Sequence, residues 1–209
     1  MSVEKTYLYS SNSITGMQKL YDFLQANAVP EYFDSVQKES SGVKCYIGSH
    51  DFFFFGLAQG ADKGIKITQN NGSVLKLQTS GYMYMNYGYK CANGLSFSII
   101  DGSTANKQSI TFTKDDSGNT VVITTSNLKI SSSNTLYVIN ASTGNTISKT
   151  FACADNCGCT SLAPLVVGDT PNYTPNAFLI PFAQNISECI LHIDGIKYLS
   201  NGLWCIKDE

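Results

Sequence analysis

Charge is scarce in this sequence. Lysine and arginine number 14 and aspartate and glutamate 16 among 209 residues, so charged residues make up 14%, against about 25% in an ordinary globular domain. The net charge is −2, and no basic run occurs. Nucleic-acid binders present a basic patch or stripe to the phosphates, so a nucleic-acid partner is not expected. Histidine occurs twice, and no stretch concentrates catalytic residue types. There is no Gly-rich phosphate loop, no paired-carboxylate motif and no nucleophile elbow. The expectation is a protein without catalytic residues or cofactor.

Long hydrophobic runs are missing too. The longest, Phe52–Phe55 extended to Leu57, is far shorter than the roughly 20 residues that span a bilayer. Membrane insertion is not expected. The first residues, Met1 to Ser11, hold no apolar h-region and no small-residue cleavage site, so they do not read as a signal peptide. Synthesis in the cytoplasm follows as an expectation, and with it reduced thiols for the seven cysteines.

What is present is strand. A hydrophobic share of 43% leaves material for a sizeable core. From Tyr32 onward, short alternating runs are divided by Gly, Asn, Asp and Ser turns. Val74–Thr79 follows Asn71-Gly72. Tyr89–Ala92 and Leu95–Ile100 flank Asn93-Gly94. Ile193 and Ile196 flank Asp194-Gly195. Asn-Gly and Asp-Gly supply the positive φ of tight hairpins. One helix is predicted: Ile14, Met17, Leu20, Tyr21 and Leu24 share a face at helical spacing. Thr15 with Gln18 fits a capping box, and Pro30 ends the helix near Ala26 or Asn27. The fold class is mainly β (α+β), an antiparallel β-sandwich or paired β sheets with one short N-terminal helix. Regularity fades over residues 142–175. The expected organisation is therefore a helix plus hairpin sheet over 1–141 and an irregular loop with a β-meander over 142–209, packed as one unit.

Three features invite chemistry. Cys153, Cys157 and Cys159 lie within seven residues. Three thiolates can ligate zinc with a fourth ligand from His50, His192, Cys189 or Asp155; the alternatives are free thiols or a disulfide formed outside the cell. The spacing is not that of paired zinc-binding cysteines, and no metal is expected. His192 and Asp194 share a strand face by alternation, but no motif supplies a nucleophile. The third feature is Gly81–Tyr89, with Tyr82, Tyr84, Tyr87 and Tyr89. Alternation puts Tyr82 and Tyr84 on one face, and Met83, Met85, Tyr87 and Tyr89 on the other. Tyrosines give large contact area at low entropic cost, to a glycan or to a protein partner. Phe52–Phe55 reads as a strand buried on both faces.

The chain's later part reads Tyr173-Thr174-Pro175-Asn176-Ala177-Phe178, then Asp194-Gly195-Ile196-Lys197-Tyr198-Leu199-Ser200-Asn201-Gly202-Leu203-Trp204 and an acidic end at Asp208-Glu209. This resembles the C-terminal signature of a large, mostly uncharacterised family of phage and prophage virion-associated proteins of gut bacteria. The plan of a short early helix, a Tyr32-Phe33-Asp34-Ser35-Val36 strand and β hairpins is similar as well. The resemblance implies a non-enzymatic virion structural protein, tail- or head-associated, made in the bacterial cytoplasm and assembled into the particle. Other virion proteins and further copies of the chain are its implied partners. The alternative is a module at the tail tip that binds a host-surface glycan through the tyrosine strand.

Overall fold

Strand β1 (Glu4–Tyr7) precedes helix α1 (Ser13–Asn27). The computed structural model describes residues 3–8, 13–56, 64–68, 72, 74–78, 83–101, 107–125, 133–141, 146–152, 163–166, 173–180, 189–201 and 204–208. Met17, Leu20, Phe23 and Leu24 are buried on one side of α1, and Tyr21 packs beside them. That stripe is what the spacing requires of a helix lying on a sheet. The helix starts before Thr15, so the Thr15–Gln18 pair lies inside its first turns rather than capping it. Gln18 Nε2 instead donates to Asp22 Oδ1 at 2.7 Å. At the other end, Lys90 Nζ reaches the Asn27 carbonyl at 3.0 Å and Glu31 at 2.8 Å. A cation there satisfies a terminal carbonyl and complements the helix dipole.

Five strands follow: β2 (Ser35–Lys38), β3 (Gly42–Ile47), β4 (His50–Gly56), β5 (Gly64–Thr68) and β6 (Val74–Gln78). They form one antiparallel sheet in chain order. Phe52, Phe53 and Phe55 are all fully buried in the same core. A bulge explains three buried phenylalanines in four residues. Cys45 pairs with Phe53 but Tyr46 with Asp51, so Phe52 is the extra residue. A bulge resets which way the next side chain points. The bulge accounts for Phe52 joining Phe53 and Phe55 on one side; the side chain of Phe54, on which burial of the other face turns, lies outside the described residues.

A second sheet is built by β7 (Met83–Cys91), β8 (Gly94–Asp101), β9 (Lys107–Lys114), β10 (Thr120–Thr125), β11 (Ser133–Asn140) and β12 (Thr146–Ala152), with β1 added beside β7. The stretch whose regularity fades in the sequence thus contains β12, paired with β11 from Ser133↔Ala152 to Ile139↔Thr146. The third sheet comprises β13 (Ala163–Val166), β14 (Tyr173–Leu179), β15 (Cys189–Ile193), β16 (Ile196–Ser200) and β17 (Trp204–Lys207), in the order β13-β14-β17-β16-β15. Its β15–β16 turn has φ of 52° at Asp194 and 78° at Gly195, the positive values expected from Asp-Gly. The protein is mainly β, with three antiparallel sheets in a sandwich-like arrangement.

The β7–β12 sheet has two different faces. One carries Leu95, Phe97, Ile110, Phe112 and Val122 into the core shared with α1 and the β2–β6 sheet. There Phe112 meets Phe33 at 4.9 Å and Phe53 at 5.3 Å between ring centroids, both nearly perpendicular, the edge-to-face geometry that ring quadrupoles favour. The other face carries buried hydroxyls, Ser96, Ser98, Ser109, Thr111 and Thr113. Trp204 Nε1 from the third sheet donates to Thr111 Oγ1 at 2.9 Å, and Thr111 donates onward to Ser96 Oγ at 3.1 Å.

Candidate functional site

The tyrosine strand has its own bulge. Met85 pairs with Ile99 and Gly88 with Phe97, so Asn86 and Tyr87 stand opposite Ser98 alone. Met85 is buried in the helix-side core, and Gly88 turns the same way: a Cβ there would lie 2.4 Å from Phe23 Cζ. Tyr87 and Tyr89 therefore point to the opposite face. The expectation that Met85, Tyr87 and Tyr89 share a face is corrected by that one extra residue. Tyr89 is only 9% exposed and packs with Cys91, Leu199 and Ile206. Tyr87 is half-buried beside it. Tyr82 and the side chain of Tyr84 lie outside the described residues.

Strand β1 completes the site. It pairs antiparallel with β7, placing Tyr7 opposite Tyr87 and Lys5 opposite Tyr89. The Tyr7 and Tyr87 rings are 5.4 Å apart and tilted by 53°. Lys5 Nζ stands 3.7 Å from the centre of the Tyr87 ring and 5.9 Å from that of Tyr89. Lys19 Nζ, from α1, is 5.0 Å from the Tyr7 ring centre. Tyr7 is 54% exposed, and Lys5 is exposed. The result is a ladder of two lysines and three tyrosines whose ammonium groups sit on aromatic faces, an electrostatically favourable contact. Sequence reading misses Lys5, Tyr7 and Lys19. The alternation of Lys5 and Tyr7 is visible in the sequence, but nothing local says that this segment pairs with β7.

The two histidines lie on different sheets. His50 Nε2 lies 2.8 Å from the Thr68 carbonyl. His192 is exposed on β15 opposite Lys197, and Asp194 is in the turn. Among the described residues, no three His, Cys, Asp or Glu side chains gather as a metal-ligand group. Cys153, Cys157 and Cys159 lie outside the described residues. Asn140, which begins an Asn-x-Ser/Thr triplet, is buried and donates to Asp115 Oδ2 at 2.6 Å, so it is a structural amide. No helix among the described residues is long and apolar enough to cross a membrane.

Cys45, Cys91 and Cys205 are buried thiols. Burial pushes the Cys91 thiol up from 9.0 to about 11. It raises Cys45 as well, and burial with the neighbouring Glu31 carboxylate raises the Tyr32 phenol. The unfolded chain ionises these groups first, so their stabilisation is intact below pH 9 and drains away as pH rises. For Cys91 that window runs from 9.0 to about 11, with a slope of at most about 1.4 kcal/mol per pH unit. Denaturant midpoints measured between pH 7 and 10.5 are expected to fall above pH 9, less steeply in Cys91→Ala. A flat profile in both would show that the thiol is hydrated.

The segment bearing the C-terminal signature folds into a joint. Asp208, fully buried, pairs with Lys197 Nζ at 2.9 Å and accepts from the Ala92 amide at 3.1 Å. Asn93 Nδ2 donates to the Lys207 carbonyl at 2.9 Å, and Asn176 Nδ2 to Asn93 Oδ1 at 3.1 Å. Asn201 Oδ1 accepts from the Trp204 amide at 3.0 Å. The third sheet is thus pinned to the tip of the β7–β8 hairpin. That tip is Ala92-Asn93, since Cys91 already pairs with Gly94. Gly94 is needed for closeness instead of a turn: a Cβ would come within 2.7 Å of Ile206 Cδ1 and 3.1 Å of the Phe112 carbonyl oxygen.

No family model, no curated protein and no solved structure matches the chain.

Proposed function

We propose that this chain is a non-enzymatic structural protein of a bacteriophage virion, tail- or head-associated, which acts by assembly with other virion subunits and with copies of itself. The observation that carries the reading is the fit between the signature and the joint. Asn176, Asn201, Trp204 and the acidic Asp208 are among the residues that give the resemblance, and each makes a buried or half-buried contact in or beside the third sheet. A signature made of such contacts describes an architecture, and the assembly role is what the resemblance implies for it. Low charge suits the reading, because the centres of protein interfaces are depleted of charged residues.

Quantitative mass spectrometry of purified particles tests it. The chain is expected as a stoichiometric component of the particle. Its absence from particles overturns the reading.

The exposed lysine–tyrosine ladder favours a second reading, contact with a host-surface glycan. Under that reading the chain is confined to the tail tip and present in few copies.

A further inference from the structure

We propose that the Lys5–Tyr7–Tyr87 ladder, with Lys19 at its end, is a binding site for an acidic saccharide, a polymer bearing carboxylates. The inference rests on the second reading above and names its ligand class.

Two properties of the ladder select this ligand. The first is its fixed positive charge. Lys5 Nζ rests 3.7 Å over Tyr87, which restrains a side chain that would otherwise sample many rotamers in water. The contact shields one side of the ammonium and leaves its charge uncompensated. No carboxylate lies within ion-pair distance of Lys5 among the described residues. Alternation sends Glu4, its neighbour on β1, to the other face of the strand, where its register partner is Lys90. A second ammonium, Lys19, stands over Tyr7. A restrained cation can form a charge-assisted hydrogen bond at a low ordering cost.

The second property is apolar area beside the charge. Tyr7 is 54% exposed and tilted against Tyr87, so a strip of aromatic surface runs next to the ammonium. The C–H face of a sugar ring fits such a strip, and its carboxylate fits Lys5. Attraction by bulk charge is absent, since the net charge is −2. Recognition of an acidic polymer has to come from this local arrangement.

Affinity electrophoresis of the full chain through gels containing polygalacturonate, alginate or neutral dextran tests the assignment. Retardation is expected with the two polyuronates and not with dextran, and it weakens as salt rises. Lys5→Gln and Tyr7→Ser alter exposed side chains, so both are expected to fold, as circular dichroism will verify. Each should weaken polyuronate binding about tenfold, the loss of one charge-assisted or stacking contact. Lys19→Gln provides a further variant on a different element. Retardation by dextran as strong as by polyuronate overturns the acidic assignment and leaves the glycan reading standing. No retardation in any gel overturns both. Polyuronate binding unchanged in Lys5→Gln, or equal binding to phosphatidylglycerol vesicles, also overturns the proposal.

Discussion

Trp204→Ala is expected to lower the unfolding free energy by about 4 kcal/mol, and Trp204→Phe by about 1–2 kcal/mol. Trp204 is the chain's one tryptophan and is 1% exposed. It stands on the face of β17 turned to the central sheet, where its indole N–H meets Thr111. Alanine removes the whole ring and leaves a cavity between two sheets that cannot collapse onto each other, because Asn93, Asn176 and Asp208 hold their spacing. Phenylalanine keeps most of the volume and gives up the hydrogen bond. Thr111 keeps its bond to Ser96 in that variant, so no buried hydroxyl is orphaned. Equilibrium urea denaturation followed by circular dichroism separates the two cases. Equal losses in both variants would mean that the hydrogen bond, not the packing, carries the joint.

Gly88→Ala is expected to cost about 2 kcal/mol through overpacking. The added Cβ would sit 2.4–2.7 Å from three carbons of the Phe23 ring, and Phe23 belongs to the core stripe of α1. Phe23 is 3% exposed within that core, so the strain falls on the helix–strand contact. A smaller side chain on the helix should relieve it. In a double-mutant cycle with Phe23→Leu, a favourable coupling of about 1 kcal/mol is expected. Additive losses would place the strain in the β7 backbone instead.

The readable parts of this fold are those with local causes. The helix and most hairpins follow from periods of 3.6 and 2 and from turn residues a few positions apart. The Asp194-Gly195 turn stands where its chemistry puts it. What the sequence conceals depends on single extra residues or on distance along the chain. The bulge at Asn86-Tyr87 reverses the faces of everything after it, so an alternation counted from Met83 assigns Tyr87 and Tyr89 to the wrong side. The bulge at Phe52 does the same for the phenylalanine run. Asn93-Gly94 looks like a positive-φ turn, yet its glycine answers to Ile206, more than a hundred residues away. Of the four tyrosines of the candidate site, Tyr87 is partly open and Tyr89 is buried beside it, while Tyr82 and the side chain of Tyr84 lie outside the described residues. The companions Lys5 and Tyr7 arrive from a strand that no local signal ties to β7.

Strand connectivity also sets an order of events. Within the β2–β6 and β7–β12 runs, chain neighbours are sheet neighbours, so each hairpin closes a short loop. Strand β1 is different: its partner β7 comes only after the whole β2–β6 sheet. The entropy of closing that long segment must be met before its four residue pairs return anything. Such a strand zips up late and frays early. Lys5 and Tyr7 ride on it, so their array exists only in molecules whose final edge has closed. A polymer gripping Lys5 would add its binding free energy to that closure, making the saccharide a latch on the last strand to fold.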